Sequence, residues 1–210
     1  MPRSGSWQRR AGHREGISMN AGTMTLPVVD TDYLRSICEL PTELALQQAA
    51  PFLVRLVKDP AFFEGEIRPL LEEARGAEGE WYVARSYGGE GHTYSLQVFI
   101  WPPSTETKIH DHSSWGVYCC AVGSILEERY ERLDDGSRLD HARLEKIRQR
   151  MWSSEDGASS VLPHDEGIHR VGNRGDDVAI SVHLYGPRVG EVDGRDYDLS
   201  CDFVCDRRED

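Results

Sequence analysis

Past Trp81 the chain breaks into short β-type runs divided by turn residues, and no other feature limits the fold as strongly. WYVARSY leads through GGEGH to TYSLQVFIW and then PPSTET; later runs are HSSWGVYCCAV, SILEERYERL, SSVLP, IHRVGN and DDVAISVHLYG. Many short strands at this spacing predict an all-β sandwich or barrel. The basic run from His141 to Arg150 fits either a solvated strand or a loop.

The preceding stretch, from Asp30 to about Gly76, has a different period. Leu44, Leu46, Ala49, Phe52, Leu53, Leu56, Val57, Ile67, Leu70 and Leu71 recur at helical spacing. Thr42 before Glu43 and Pro60 after Asp59 read as start and stop signals, so two or three helices are expected. Residues 1–25 are rich in Gly, Ser and Arg without apolar periodicity and read as a disordered basic tail, in which Met19 and Met24 are alternative starts. The expected organisation is one domain over 26–210, with helices in 30–76, a barrel in 80–187 and an extension in 188–210. That extension is acidic, carries Cys201 and Cys205, and is expected to cover a barrel edge.

With 24 Lys and Arg against 36 Asp and Glu, the 210-residue chain has a formal charge of -12. Such a charge repels a phosphate backbone or an anionic membrane, which points to a small-molecule partner. No apolar run approaches the roughly 20 residues of a membrane helix. The apolar stretch of a secretory signal is also missing, so a cytoplasmic protein is expected. The five cysteines form no CxxC pair, and their odd number argues against a complete disulfide framework.

Three histidines carry the chemistry. His110 and His112 lie in KIHDHSSWG and His169 lies far downstream in GIHRVGN. In a strand, residues i and i+2 face the same way, so both imidazoles of an HxH pair can reach one ion while a third ligand comes from a distant strand. His92, His141 and His164 are also available for that third place, His164 being the main rival. Imidazole suits iron, zinc, copper and nickel alike, so spacing alone leaves the metal open.

IHDHSSWG, HRVGN and SVHLYGP, in this order, resemble cysteine dioxygenase and its bacterial thiol dioxygenase relatives in the cupin superfamily. The likeness covers about Trp81 to Pro187, and Gly123, His169 and Asn173 also fit the general cupin pattern. The resemblance implies a cupin double-stranded β-helix, a jelly-roll barrel, behind an N-terminal helical segment. It further implies one Fe(II) per chain on His110, His112 and His169. Gly116 stands where cupins usually carry a glutamate ligand, as in the three-histidine enzymes. Three neutral ligands would leave the ion its full charge, which favours an anionic thiolate.

Ser181, His183 and Tyr185 match the family's Ser-His-Tyr relay, an i, i+2, i+4 series on one strand face. Tyr185 would bring its hydroxyl near the metal and the substrate, with His183 orienting it and Ser181 supporting His183. In better-known members a cysteine is crosslinked to this tyrosine. The matching position is again Gly116, so no crosslink is expected, and Cys119 and Cys120 are read as small core residues.

The implied reaction is a small thiol plus O2 to its sulfinate. Arg85 in WYVARSY falls at the position of the family's carboxylate-gripping arginine, which favours L-cysteine. The Trp115-Gly116 pair is instead familiar from 3-mercaptopropionate enzymes, which take an arginine from beyond the tyrosine; Arg188 and Arg195 lie there without a convincing offset. A mercapto-acid dioxygenase is therefore the alternative. A non-catalytic metal-binding cupin acting as a sensor is the alternative of a different class, and oligomeric state stays open.

Overall fold

The computed structural model describes residues 29–88, 93–190 and 192–207. The basic tail expected over 1–25 and His92 lie outside them.

Helix α1 (Thr31–Cys38) begins where the Asp30 carboxylate accepts the Tyr33 N–H at 2.9 Å, satisfying one of the donors a helix start leaves open. Helix α2 (Thr42–Lys58) buries Ala45, Ala49, Leu53, Leu56 and Val57 along one stripe. Asp59 then closes α2 and caps α3 (Pro60–Phe62), accepting the Ala61 and Phe62 N–H groups at 2.8 and 3.1 Å. Pro60 is thus the first residue of a new helix, where its missing N–H costs nothing. A π-helical turn (Phe63–Ile67) joins α3 to α4 (Arg68–Glu73).

The rest is a pair of antiparallel sheets. Its strands are β1 (Tyr82–Gly88), β2 (Ser95–Trp101), β3 (Ile109–His110), β4 (Gly116–Val122), β5 (Ser124–Arg132) and β6 (Leu144–Ser153). They continue as β7 (Ser159–Val161), β8 (His169–Gly172), β9 (Ala179–Tyr185), β10 (Arg195–Asp198) and β11 (Phe203–Asp206). One sheet runs β1-β2-β9-β4-β7 and the other β11-β10-β3-β8-β5-β6. The ambiguous basic run becomes β6, a largely exposed edge strand paired with β5.

The helices cover the outer face of the first sheet. Leu34, Leu53 and Leu56 pack there with Leu96, Val98, Ile100, Val117, Ile180, Val182 and Leu184. Each fully buried side chain of this size contributes about 1.5–3 kcal/mol. Strand β9 is therefore buried on both faces. Its alternation sends Ile180, Val182 and Leu184 to the helices, and Ser181, His183 and Tyr185 into the space between the sheets. Cys119 and Cys120 divide likewise between the helix-side core and the inner core. The C-terminal hairpin β10–β11 pairs with β3 through Asp196↔His110 and Tyr197↔Ile109, so the extension does cover a sheet edge. Among the described residues no helix is long and apolar enough to cross a membrane.

Candidate metal centre

His110 and His169 are direct cross-strand partners on β3 and β8, and His112 follows on the loop after β3. All three are buried, and one candidate ligand atom from each lies within 4.8 Å of the others. The His169 Nε2 lies 3.1 Å from that of His110 and 3.3 Å from that of His112. His110 Nδ1–H donates to the Lys108 carbonyl at 2.9 Å, which leaves the Nε2 lone pair for a metal. Burial first, then the neighbouring imidazoles, holds His110 and His112 well below the ordinary histidine value. Burial also lowers His169, against the opposing pull of Glu127. Neutral, convergent, desolvated imidazoles are the donor set a transition metal requires, so these residues fit an ion. His164 sits on a 3-10 turn outside this group, its N–H held by the His112 carbonyl at 2.8 Å.

Two buried carboxylates lie beside these histidines. Glu127 on β5 places Oε1 3.7 Å from His169 Nδ1 and 2.6 Å from Arg129 Nε. Its Oε2 accepts from Trp152 Nε1–H and the Ser159 hydroxyl, both at 3.0 Å. Burial raises the Glu127 carboxyl, but His169 and Arg129 outweigh it and bring it to about 2. The resulting charge favours the His169 tautomer with its proton on Nδ1 and its lone pair on Nε2. Asp111, fully buried between the two histidines of the HxH pair, accepts the Arg195 N–H at 2.6 Å, Arg195 Nε–H at 2.8 Å and the Tyr197 hydroxyl at 2.8 Å. Gly194 has φ +137°, and a Cβ there would meet the Asp111 carbonyl at 2.2 Å. Only glycine lets the hairpin close this tightly on the ligand loop.

The β9 series forms one hydrogen-bonded line. Trp101 Nε1–H donates to Ser181 Oγ at 2.8 Å, Ser181 Oγ lies 2.7 Å from His183 Nε2, and His183 Nδ1 lies 3.1 Å from the Tyr185 hydroxyl. The indole can only donate, and Ser181 Oγ has no further hydrogen-bond partner among the described residues; the proton order that gives its hydroxyl an acceptor therefore has Ser181 donating to Nε2 and His183 Nδ1–H donating to Tyr185. The Tyr185 proton is then free to point into the cavity. Burial and the His169 neighbour lower His183 to about 3, and burial raises Tyr185, so both stay neutral. The Tyr185 ring lies 5.0 Å from that of His112, and the His183 ring stacks on Tyr118 at 5.0 Å. Opposite Tyr185, a Cβ on Gly116 would come within 3.1 Å of the tyrosine ring; with no sulfur there, no thioether can form.

These groups line a cavity of about 1100 Å³ whose aromatic wall includes Trp81, Phe99 and Trp101. Arg85 is not part of it, which corrects the sequence expectation. Arg85 pairs with Val98, whose side chain faces the helices, and its guanidinium donates to the Ala84 carbonyl at 2.9 Å. A bulge between Val83 and Arg85 turns Val83 toward the cavity, with Ser86 also lining it, while Arg85 shares the helix-side face with Tyr87. The cations that do line the cavity are Lys108, Arg188 and Arg207. Arg195 is engaged by Asp111 instead. Glu127, Asp111 and Arg207 escape sequence reasoning, because nothing in LEERYER, HDH or the charged C-terminus distinguishes a buried charge from a solvated one.

The family model for cysteine dioxygenase type I matches residues 81–198, more than half of the chain. Three solved structures show how far the likeness extends. CapF with the inhibitor 3-isopropenyl-tropolone matches at 14% identity over 50% of this chain and 28% of that one, with a TM-score of 0.38. A cupin 2 conserved barrel domain protein from Salinispora arenicola gives 13%, 50%, 73% and 0.35. A cupin superfamily protein from Desulfitobacterium hafniense gives 14%, 57%, 88% and 0.40. The matched region thus spans little more than a quarter of CapF.

Proposed function

Because the chain belongs to the cysteine dioxygenase type I family, we propose that it is an iron-dependent dioxygenase converting a small thiol and O2 to the sulfinate, one Fe(II) being held per chain by His110, His112 and His169. The observation that carries the reading is the juxtaposition of this neutral three-histidine group with the Ser181-His183-Tyr185 line in one cavity. A site that only stores or senses a metal has no use for a proton-bearing tyrosine aimed beside the ligands. When bound, the iron supplies the Lewis acidity that converts a thiol to its thiolate and the redox chemistry that activates O2.

The chain's residues do the remainder. Tyr185, kept protonated, donates a hydrogen bond to the reacting oxygen or sulfur, and His183 fixes the direction of that donation. Ser181 and Trp101 hold His183 in one tautomer. The Glu127 charge, 3.7 Å from His169 Nδ1, favours the tautomer that turns the Nε2 lone pair inward, and Asp111 ties the loop bearing His112 to the hairpin, so the ligands are set before substrate arrives. The aromatic wall limits water around the site. L-cysteine is a candidate substrate, although with Arg85 turned toward the helices its carboxylate needs another partner; 3-mercaptopropionate is the other candidate.

The test is O2 uptake after anaerobic Fe(II) loading, with L-cysteine, 3-mercaptopropionate, cysteamine and mercaptosuccinate. Uptake with at least one thiol, abolished together with iron content in His169→Ala, is the expected result. Uptake with none of the four would overturn the reading.

A further inference from the structure

We propose that Arg207, on the C-terminal hairpin, anchors a carboxylate of the substrate, so that the site is built for small mercapto acids; this rests on the thiol dioxygenase reading above. Arg207 lies beyond residue 198, where the family match ends, so it belongs to this chain's own extension.

The backbone brings it there by register. Strand β11 ends at Asp206, paired with Arg195, and the Arg207 N–H donates to the Gly194 carbonyl at 2.8 Å. Its Nη2 then reaches the Asp111 carbonyl at 3.3 Å, one residue from both His110 and His112. Its Nε meets Asp196 Oδ1 at 3.3 Å, which steadies one edge of the guanidinium. The side chain lines the same cavity as the three histidines and Tyr185.

The other cations on this wall are placed differently. The Lys108 side chain is 76% exposed and pairs with Asp196. That of Arg188 is 45% exposed and pairs with Asp193 at 3.3 Å. Arg207, at 28%, is the most enclosed. A partly desolvated guanidinium beside the metal ligands can hold a carboxylate in charge-assisted hydrogen bonds while the sulfur lies toward the histidines. Asp193 and Glu106 of the same wall are engaged with Arg188 and Arg170, and Asp196 is shared between Lys108 and the Nε edge of Arg207, so the anchor rests on the Nη edge of the guanidinium.

The test compares Fe(II)-loaded wild type, Arg207→Ala and Arg207→Lys for anaerobic calorimetric binding and for O2 uptake. The probes are 3-mercaptopropionate, which has a carboxylate, and cysteamine, which has none. Arg207→Ala is expected to weaken 3-mercaptopropionate binding and raise its KM by about tenfold or more. Cysteamine should change by less than about twofold, and Arg207→Lys should recover part of the loss. Equal losses for both thiols would overturn the anchor and make Arg207 a structural tie of the hairpin. Unchanged values for both would also overturn it. Either outcome leaves the dioxygenase reading standing, because wild type still consumes O2. If wild type consumes none with any thiol, the function falls and the anchor with it.

Discussion

Tyr185 keeps its proton because burial makes the phenolate costly, and His183 stays neutral for the same reason. Tyr185→Phe removes the donor and little volume. It should lower kcat about tenfold to hundredfold while iron content stays at the wild-type level, measured by O2 uptake and metal analysis. His183 also gives a pH signature. Its folded-state value lies near 3 against the ordinary 6.5, so the unfolded chain takes the proton first. The stability of neutral His183 is therefore full above pH 6.5 and is lost as pH falls toward 3, by roughly 1.4 kcal/mol per unit. His183→Gln carries no such proton. The stability gap between wild type and this variant should narrow by about 2 kcal/mol from pH 6.5 to 5 in urea unfolding. A gap that is flat or widens contradicts the buried, neutral assignment.

At the scale of elements, the C-terminal hairpin is a working part of the site. Arg195 and Tyr197 both converge on Asp111, and Gly194 lets the chain close on the ligand loop. Arg195→Ala leaves Asp111 with fewer donors and should cost about 1–3 kcal/mol in urea unfolding. It should also weaken iron binding about tenfold, read by competition with a chelator. Strands proved the more legible part of the sequence. The runs after Trp81 carry alternation and turn residues, and SVHLY could be read as one face because a strand repeats every two residues. Arg85 was misread for a related reason. A position matched along the sequence cannot register the bulge at Val83/Arg85 or the side to which alternation then turns. Pro60 read as a stop because the sequence does not reveal that Asp59 both ends one helix and begins the next. Glu127 and Arg207 were invisible because their value depends on burial and on pairing between distant strands.

For the whole molecule, the two sheets enclose the histidines, the Ser181-His183-Tyr185 line and an aromatic wall, while α1 to α4 stabilise the sheet that carries that line. A metal bound to the folded state alone adds about 2.7 kcal/mol at a hundredfold excess over Kd. Stripping iron with a chelator should therefore lower Tm by roughly 5–10 °C. His169→Ala should show no response to the same chelator. The measurement that bears most directly on the central claim is mass spectrometry of the product formed from a small thiol under isotopically labelled O2 by the Fe(II)-loaded enzyme. A dioxygenase predicts a sulfinate with both oxygens labelled, one O2 consumed per thiol and no disulfide excess over the metal-free protein. Unlabelled or singly labelled product, or disulfide alone, would contradict the account.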